Sequence, residues 1–244
     1  MKKRAKQIIV AMIIVIVIAS VAVVRYRHTT KDSDVVPYWT NLYMAAGVKE
    51  EYSISLTFFS KQKIDFSKLS AIDLKDIDSY VTVDEFEVED MENSDYDSKA
   101  ISMNLKFLKK GEVQTDTLIF HYLDGTQKEY HPGKWEFEIG KKAEVSPAED
   151  TTPGATSNPN TFAYEYKFSK NTMLEKIKIG EEKEAVIHQT GKVFKDKLEN
   201  NQEAPLVLIR PKVITTDGIY YGNASYCGAL YVDKESVEKS FSRK

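Results

Sequence analysis

From Glu51 onward the side chains alternate, and a period of two sustained over seven or eight residues is the pattern of a pleated strand with one packed face and one wet face. Tyr52, Ile54, Leu56 and Phe58 alternate with Ser53, Ser55 and Thr57, and Ile101, Met103, Leu105 and Phe107 alternate with Ser102, Asn104 and Lys106. Phe162, Tyr164, Tyr166 and Phe168 repeat the pattern, as do Trp135, Phe137 and Ile139 around Glu136 and Glu138. Val81 and Val83 share one parity and Phe86 and Val88 the other, so the phase slips near Asp84 and Glu85, which implies a β-bulge. Asp124-Gly125 between two strand-like runs is the signature of a type I′ hairpin, and Asp217-Gly218 is a second turn pair. Strands without long helices between them indicate antiparallel sheets closed as sandwiches. The expected class is therefore mainly β, with antiparallel β-sandwich-like (Ig-like) domains after an N-terminal transmembrane helix.

That helix is read from residues 8–24, Ile8 to Val24, which are all Ile, Val, Ala or Met apart from Ser20 and follow Lys2, Lys3, Arg4 and Lys6. Seventeen helical residues reach about 25 Å, enough for a ~30 Å hydrocarbon core if the flanking basic heads and Tyr26 extend to the interface. A cleaved signal peptide is the alternative, since Ser20, Val21 and Ala22 offer a cleavage site. The run continues through Val23 and Val24 before Arg25, which favours an uncleaved anchor. Residues 1–31 carry seven of the 34 Lys+Arg, leaving 27 against all 37 Asp+Glu, a net −10 for the remainder. The positive-inside bias and this acidic remainder place the N-terminus in the cytoplasm and the C-terminal region outside, in a single-pass protein of the cell membrane. The MKK start and lysine-rich make-up point to a bacterial cell surface.

The reading divides the chain into a cytoplasmic tip, anchor and stalk start (1–31), a juxtamembrane stalk with a short helix (32–50), a first β domain (51–142), a linker (143–160) and a second β domain (161–244). The short helix is residues 37–46, where Pro37 suits a first turn and Gly47 a stop. Two more helical pieces are read near 193–198 and 235–241, from apolar i, i+4 pairs. Residues 64–78 fit neither period. The linker is read from three prolines, one glycine and almost no bulky apolar residue.

Chemistry is sparse. Gly 11 and Pro 7 exclude a collagen-like or low-complexity chain, and the lone cysteine excludes a disulfide scaffold or a thiolate zinc site. No GxSxG, HExxH, phosphate loop or CxxC occurs. SxxK occurs at Ser60/Lys63 and Ser236/Lys239, as often as chance supplies in so lysine-rich a chain and without an accompanying KTG. Cys227 reads as a small buried apolar residue. His121 and His131 flank the Asp124-Gly125 hairpin without a third ligand, and the eight carboxylates between Asp84 and Asp97 lack the glycine turn that a calcium loop needs, so no cofactor or metal is expected. Beyond the stalk only Arg210 and Arg243 remain among the arginines, and the net charge repels phosphate, so nucleic acid is not a partner.

What remains is a surface of tyrosine and amide side chains. After Asp217-Gly218, the residues Tyr220, Tyr221, Asn223 and Tyr226 combine low-entropy contact area with adaptable hydrogen bonding, the composition of many binding surfaces. Tyr220 and Tyr221, adjacent on a strand, must face opposite ways, so one packs inward while its neighbour is available. The expected function is a membrane-anchored, extracytoplasmic, non-enzymatic binding or accessory protein presenting a β-sheet face to a protein or cell-wall ligand. The alternative is a cell-envelope hydrolase with an acidic pair hidden among the carboxylates.

Overall fold

The structure is a computed structural model that describes residues 34–93, 95–181, 183–200, 203–228 and 232–243. The apolar run 8–24 lies outside the described residues. Among those described, no helix is long and apolar enough to cross a membrane.

The strands in chain order are β1 (Val36–Pro37), β2 (Thr40–Gly47), β3 (Glu51–Ser60), β4 (Leu69–Leu74), β5 (Val81–Met91), β6 (Asp97–Phe107), β7 (Gly111–Thr115), β8 (Leu118–Tyr122) and β9 (Gln127–Tyr130). They continue as β10 (Trp135–Gly140), β11 (Glu149–Asp150), β12 (Ala155–Thr156), β13 (Thr161–Gly180), β14 (Lys183–Glu199), β15 (Leu206–Arg210), β16 (Lys212–Thr215), β17 (Gly218–Tyr221) and β18 (Ser225–Gly228), before a helix, α1 (Lys234–Ser242). The chain is thus mainly β, and its sheets stack face to face as in a sandwich.

The middle layer is a six-stranded sheet in the order β12-β18-β15-β2-β10-β7. On β2, Leu42, Met44 and Ala46 enter one core and Tyr43 and Ala45 the other; on β15, Leu208 enters the first core and Val207 and Ile209 the second. The first core is completed by the four-stranded sheet β1-β3-β6-β5 and the three-stranded sheet β4-β8-β9, through residues such as Ile54, Leu56, Phe58, Met103, Leu105 and Phe120. The second is completed by β11-β13-β16-β17, with β14 along β13.

Two-sided burial corrects the helix expected at 37–46. A strand covered on both faces has no polar alternation, and its continuous apolar run reads equally as a buried helix. Here that run is β2, nearly every residue of it buried, so residues 40–47 are the centre of the fold and not part of a stalk. The expectation of antiparallel sheets is corrected in the same place, because β2 pairs in parallel with both β10 and β15, and β12 pairs in parallel with β18. The piece near 193–198 is part of β14; Phe194 and Leu198 share a face of a strand as well as of a helix, since a spacing of four is two strand periods and close to one helical turn. The C-terminal helix is present as α1, with the Asp233 carboxylate accepting the Ser236 N–H at 2.7 Å as its N-cap.

The bulge falls where the phase slips: Val83 pairs with Leu105 and Glu85 with Asn104, leaving Asp84 unmatched. The β8–β9 hairpin also forms, but only Gly125 takes a positive φ (81°), and the Gly125 N–H donates to Tyr122 O at 2.9 Å. A type I′ turn needs two such residues, so the connection is a three-residue loop with its left-handed position at glycine.

Residues 143–160 contain β11, which pairs with β13, and β12, which edges the middle sheet. That sheet draws β2, β7 and β10 from before this segment and β15 and β18 from after it. Protease is expected to cut within 146–148, past the Glu144 and Val145 N–H bonds to Ile219 O and before β11, and the two fragments are expected to stay together on native gel filtration because shared strands hold them. Fragments that separate without denaturant would show two independent domains divided at the linker.

Candidate functional site

The turn at Thr216 and Asp217 returns the chain from β16 to β17, with Thr215 opposite Gly218, and sets Tyr220 and Tyr221 on opposite faces. Tyr221 is the inward residue, 3% exposed, and its hydroxyl donates to Lys141 O at 2.7 Å. Burial, then the Glu50 charge, pushes its phenol up to about 12. Tyr220 is half-buried and donates to Asp150 Oδ2 at 2.6 Å; burial first and the Asp150 hydrogen bond second hold this phenol protonated far above the ordinary tyrosine range. Asn223 is exposed and binds the same acid twice, through its N–H to Oδ2 (2.8 Å) and its Nδ2 to the main-chain oxygen (3.2 Å).

Tyr226, half-buried on β18, reaches across to β3, where its hydroxyl accepts the Ser55 N–H at 3.3 Å. Tyr52 reciprocates from β3, its hydroxyl accepting the Ala224 N–H at 3.3 Å. Arg210 packs on Tyr52, its guanidinium carbon 4.6 Å from the Tyr52 ring centre and 5.9 Å from that of Tyr221. It donates to Glu50 Oε2 at 3.0 Å and to Gly222 O at 3.2 Å. The structure therefore gathers Tyr220, Asn223 and Tyr226 at one seam between the layers and turns Tyr221 into the second core. Sequence reasoning missed Tyr52, Asp150 and Arg210. Arg210 carried a signal, being one of only two arginines beyond residue 31 among many lysines, and arginine is the residue that stacks on rings.

A separate cleft of about 180 Å³ opens on the opposite edge of the middle sheet, lined by Tyr43, Glu112, Gln114, Glu136, Glu138 and Lys178 among others. Its floor is Glu138, 7% exposed, which accepts from Lys212 Nζ (2.6 Å) on Oε1 and from Lys178 Nζ (2.7 Å) and the Tyr43 hydroxyl (2.9 Å) on Oε2. Burial alone would raise this carboxyl, but the hydrogen bonds from Lys178, Lys212 and Tyr43 outweigh it and hold the group below the usual glutamate range. Glu136 is held by Lys134 and by the Glu181 N–H at 3.1 Å. A general acid needs a carboxyl raised toward neutrality. Glu138 is shifted the other way, so this pair is built as an ion network joining β10 to β13 and β16.

Among the described residues no three His, Cys, Asp or Glu side chains are grouped to hold a metal. His121 Nε2 lies 2.7 Å from Asp73 Oδ2, and His131 Nδ1 lies 3.0 Å from Thr117 Oγ1, so each histidine has its own partner. Cys227 is fully buried, and burial pushes its thiol up.

No family model matches the chain. No curated protein matches it either. Among solved structures, the sialic acid binding region of the Streptococcus sanguinis SK1 adhesin aligns at 9% identity and a TM-score of 0.24, over 53% of this chain and 34% of that one. The Bacteroides ovatus mixed-linkage glucan utilization protein SGBP-B aligns at 11% and 0.24, over 75% and 42%. Fibronectin(III)-like modules of Clostridium thermocellum CbhA align at 7% and 0.22, over 80% and 93%. The chain spans about a third to two fifths of the adhesin and SGBP-B structures, and likeness at these scores carries no argument about function.

Proposed function

We propose that the protein is a non-enzymatic binding or accessory module, held to the outer face of the cell membrane by residues 8–24, whose tyrosine seam engages a protein or cell-wall ligand. The observation that supports this reading is the seam itself. Tyr52, Tyr220 and Tyr226 come from three different strands, and each hydroxyl is fixed to main chain or to Asp150. Rings held this way lose little conformational freedom when a ligand covers them, which is how a modest surface becomes an effective contact. The hydrolase alternative lacks comparable support, because Glu136 and Glu138, the neighbouring carboxylates in the cleft beside Tyr43, are each paired with lysine.

The experiment is retention on purified cell-wall sacculi and, separately, on immobilised envelope proteins. Asn223→Ala and Tyr220→Ala are expected to lower retention at least tenfold, the equivalent of ~1.4 kcal/mol. Asn223→Ala gives up one exposed hydrogen bond, so its unfolding midpoint should move by no more than about 1 kcal/mol. Retention unchanged in both variants would remove the seam as the binding surface. The anchor is tested on the full chain: it should remain in the membrane pellet through high salt and carbonate, and a soluble form starting near Val23 would show cleavage instead.

A further inference from the structure

The four-stranded sheet β1-β3-β6-β5 ends at β5, and among the described residues no strand pairs beyond it. Which main-chain groups this edge leaves open follows from the opposite edge. The Ser55 N–H donates to the Tyr226 hydroxyl and Thr57 O accepts from the Tyr38 N–H at 2.7 Å, so the main-chain groups of Ser55 and Thr57 turn away from β6. Their partners on β6, Ser102 and Ala100, therefore turn toward β5 and bond Glu87 and Glu89. Alternation leaves the N–H and C=O groups of Phe86, Val88 and Asp90 pointing outward, where no hydrogen bond from the described residues meets them.

The side chains along this edge sort onto two faces. Phe86 and Val88 lie half-buried at the rim of the first core, opposite Met103 and Ile101. Glu85, Glu87 and Glu89 are exposed on the other face at steps of about 7 Å. Asp84 and Asp90 are held by Lys106 and Lys99, whereas the three glutamates have no ion pair among the described residues. Charge on an edge guards it against unwanted pairing, and this row repels a second β5. It does not repel a basic strand, so the guard is also a selector.

The geometry points to β5 as a docking edge for an extended segment of a partner protein in which lysine or arginine alternates with apolar residues. Laid along β5, the segment exchanges main-chain hydrogen bonds with Phe86, Val88 and Asp90, sets its basic side chains against Glu85, Glu87 and Glu89, and carries the first core past Phe86 and Val88. Both rows have a period of two, so the order of the partner's residues matters as well as their charge. The edge is independent of the tyrosine seam, which meets this sheet two strands away at β3.

The test uses the full chain in detergent, a capped nonapeptide of alternating lysine and valine, and a second peptide of the same composition with its lysines in one block. The alternating peptide is expected to bind at least tenfold more tightly. On its addition, hydrogen exchange should slow at the amides of Phe86, Val88 and Asp90, while those of Glu85, Glu87 and Glu89 change little. The combined Glu85→Gln, Glu87→Gln and Glu89→Gln variant should bind it at least tenfold more weakly with an unchanged unfolding midpoint. Equal binding of the two peptides, or new protection that misses the three outward amides, would overturn the docking edge. Protection of those amides in the chain alone would overturn the separate partner: if it rises with protein concentration, a second copy covers the edge, and if it is lost when Arg25, Arg27 and Lys31 are replaced by serine, the chain's own basic residues do.

Discussion

Glu138→Ala is expected to destabilise the protein by about 3 kcal/mol or more, read as a lower denaturant midpoint with an unchanged slope. The carboxylate sits between Lys178 and Lys212, whose side chains are 15% and 19% exposed, and it also accepts from Tyr43. Removing it leaves two partly buried ammonium groups facing each other and a phenol without its acceptor. Glu112, 3.8 Å from Lys178, compensates only one of them. Replacing Glu138, Lys178 and Lys212 together with apolar residues of similar size should recover much of the loss, because the network's attraction is largely spent on its own desolvation. The same site gives an acid limb. A carboxyl depressed in the folded state contributes its full stability above the ordinary value of about 4.3 and loses it as pH falls through the folded-state value. The gap between wild type and Glu138→Gln should therefore be constant at neutral pH and shrink below pH ~4. A gap that widens on acidification would mean that the carboxyl is raised.

The second large effect separates two neighbours. Tyr221→Ala should cost about 3–5 kcal/mol, the range for truncating a large buried ring. The side chain fills the second core, and its loss also removes one of the two rings beside Arg210. Tyr220→Phe removes only the hydroxyl that meets Asp150, so a loss of roughly 1.5–3 kcal/mol is expected for a hydrogen bond to a charged acceptor. Equal losses at the two positions would mean that the parity of β17 is misassigned.

The parity of these tyrosines was legible because β17 is covered differently on its two faces. Ile54, Leu56 and Phe58, and Phe162, Tyr164 and Tyr166, were legible for the same reason, and Asp84 was legible as the point where that regularity breaks. β2 was not. Leu42 and Tyr43 are both buried, in different cores, so the strand that organises the molecule is the one whose sequence carries no alternation. The seam was half legible. Asn223 and Tyr226 lie close to Tyr220 in the chain, whereas Tyr52 and Asp150 arrive from about 170 and 70 residues away through pairings that no local pattern encodes. The two arginines that follow residue 31 were visible as exceptions in composition, and each stacks on an aromatic ring, Arg210 on Tyr52 and Arg243 on Trp39 at 4.0 Å.

The placement of β2 has a mechanical consequence. If the protein is anchored and binds as proposed, a pull at residue 34 first meets the two-residue β1, paired with β3. Once that yields, the pull enters β2 at Thr40 and runs along its length, while a ligand held at the seam loads the neighbouring strands in the opposite sense. β2 is laddered on both sides, from Thr40 to Met44 against β15 and from Leu42 to Gly47 against β10. Under that geometry the hydrogen bonds of both ladders share the load in shear, where the pair at the end of a peeled hairpin would fail one bond at a time. Tension along this axis must slide the central strand out from between two cores, so the layer that orders the fold is also the layer that would carry the force.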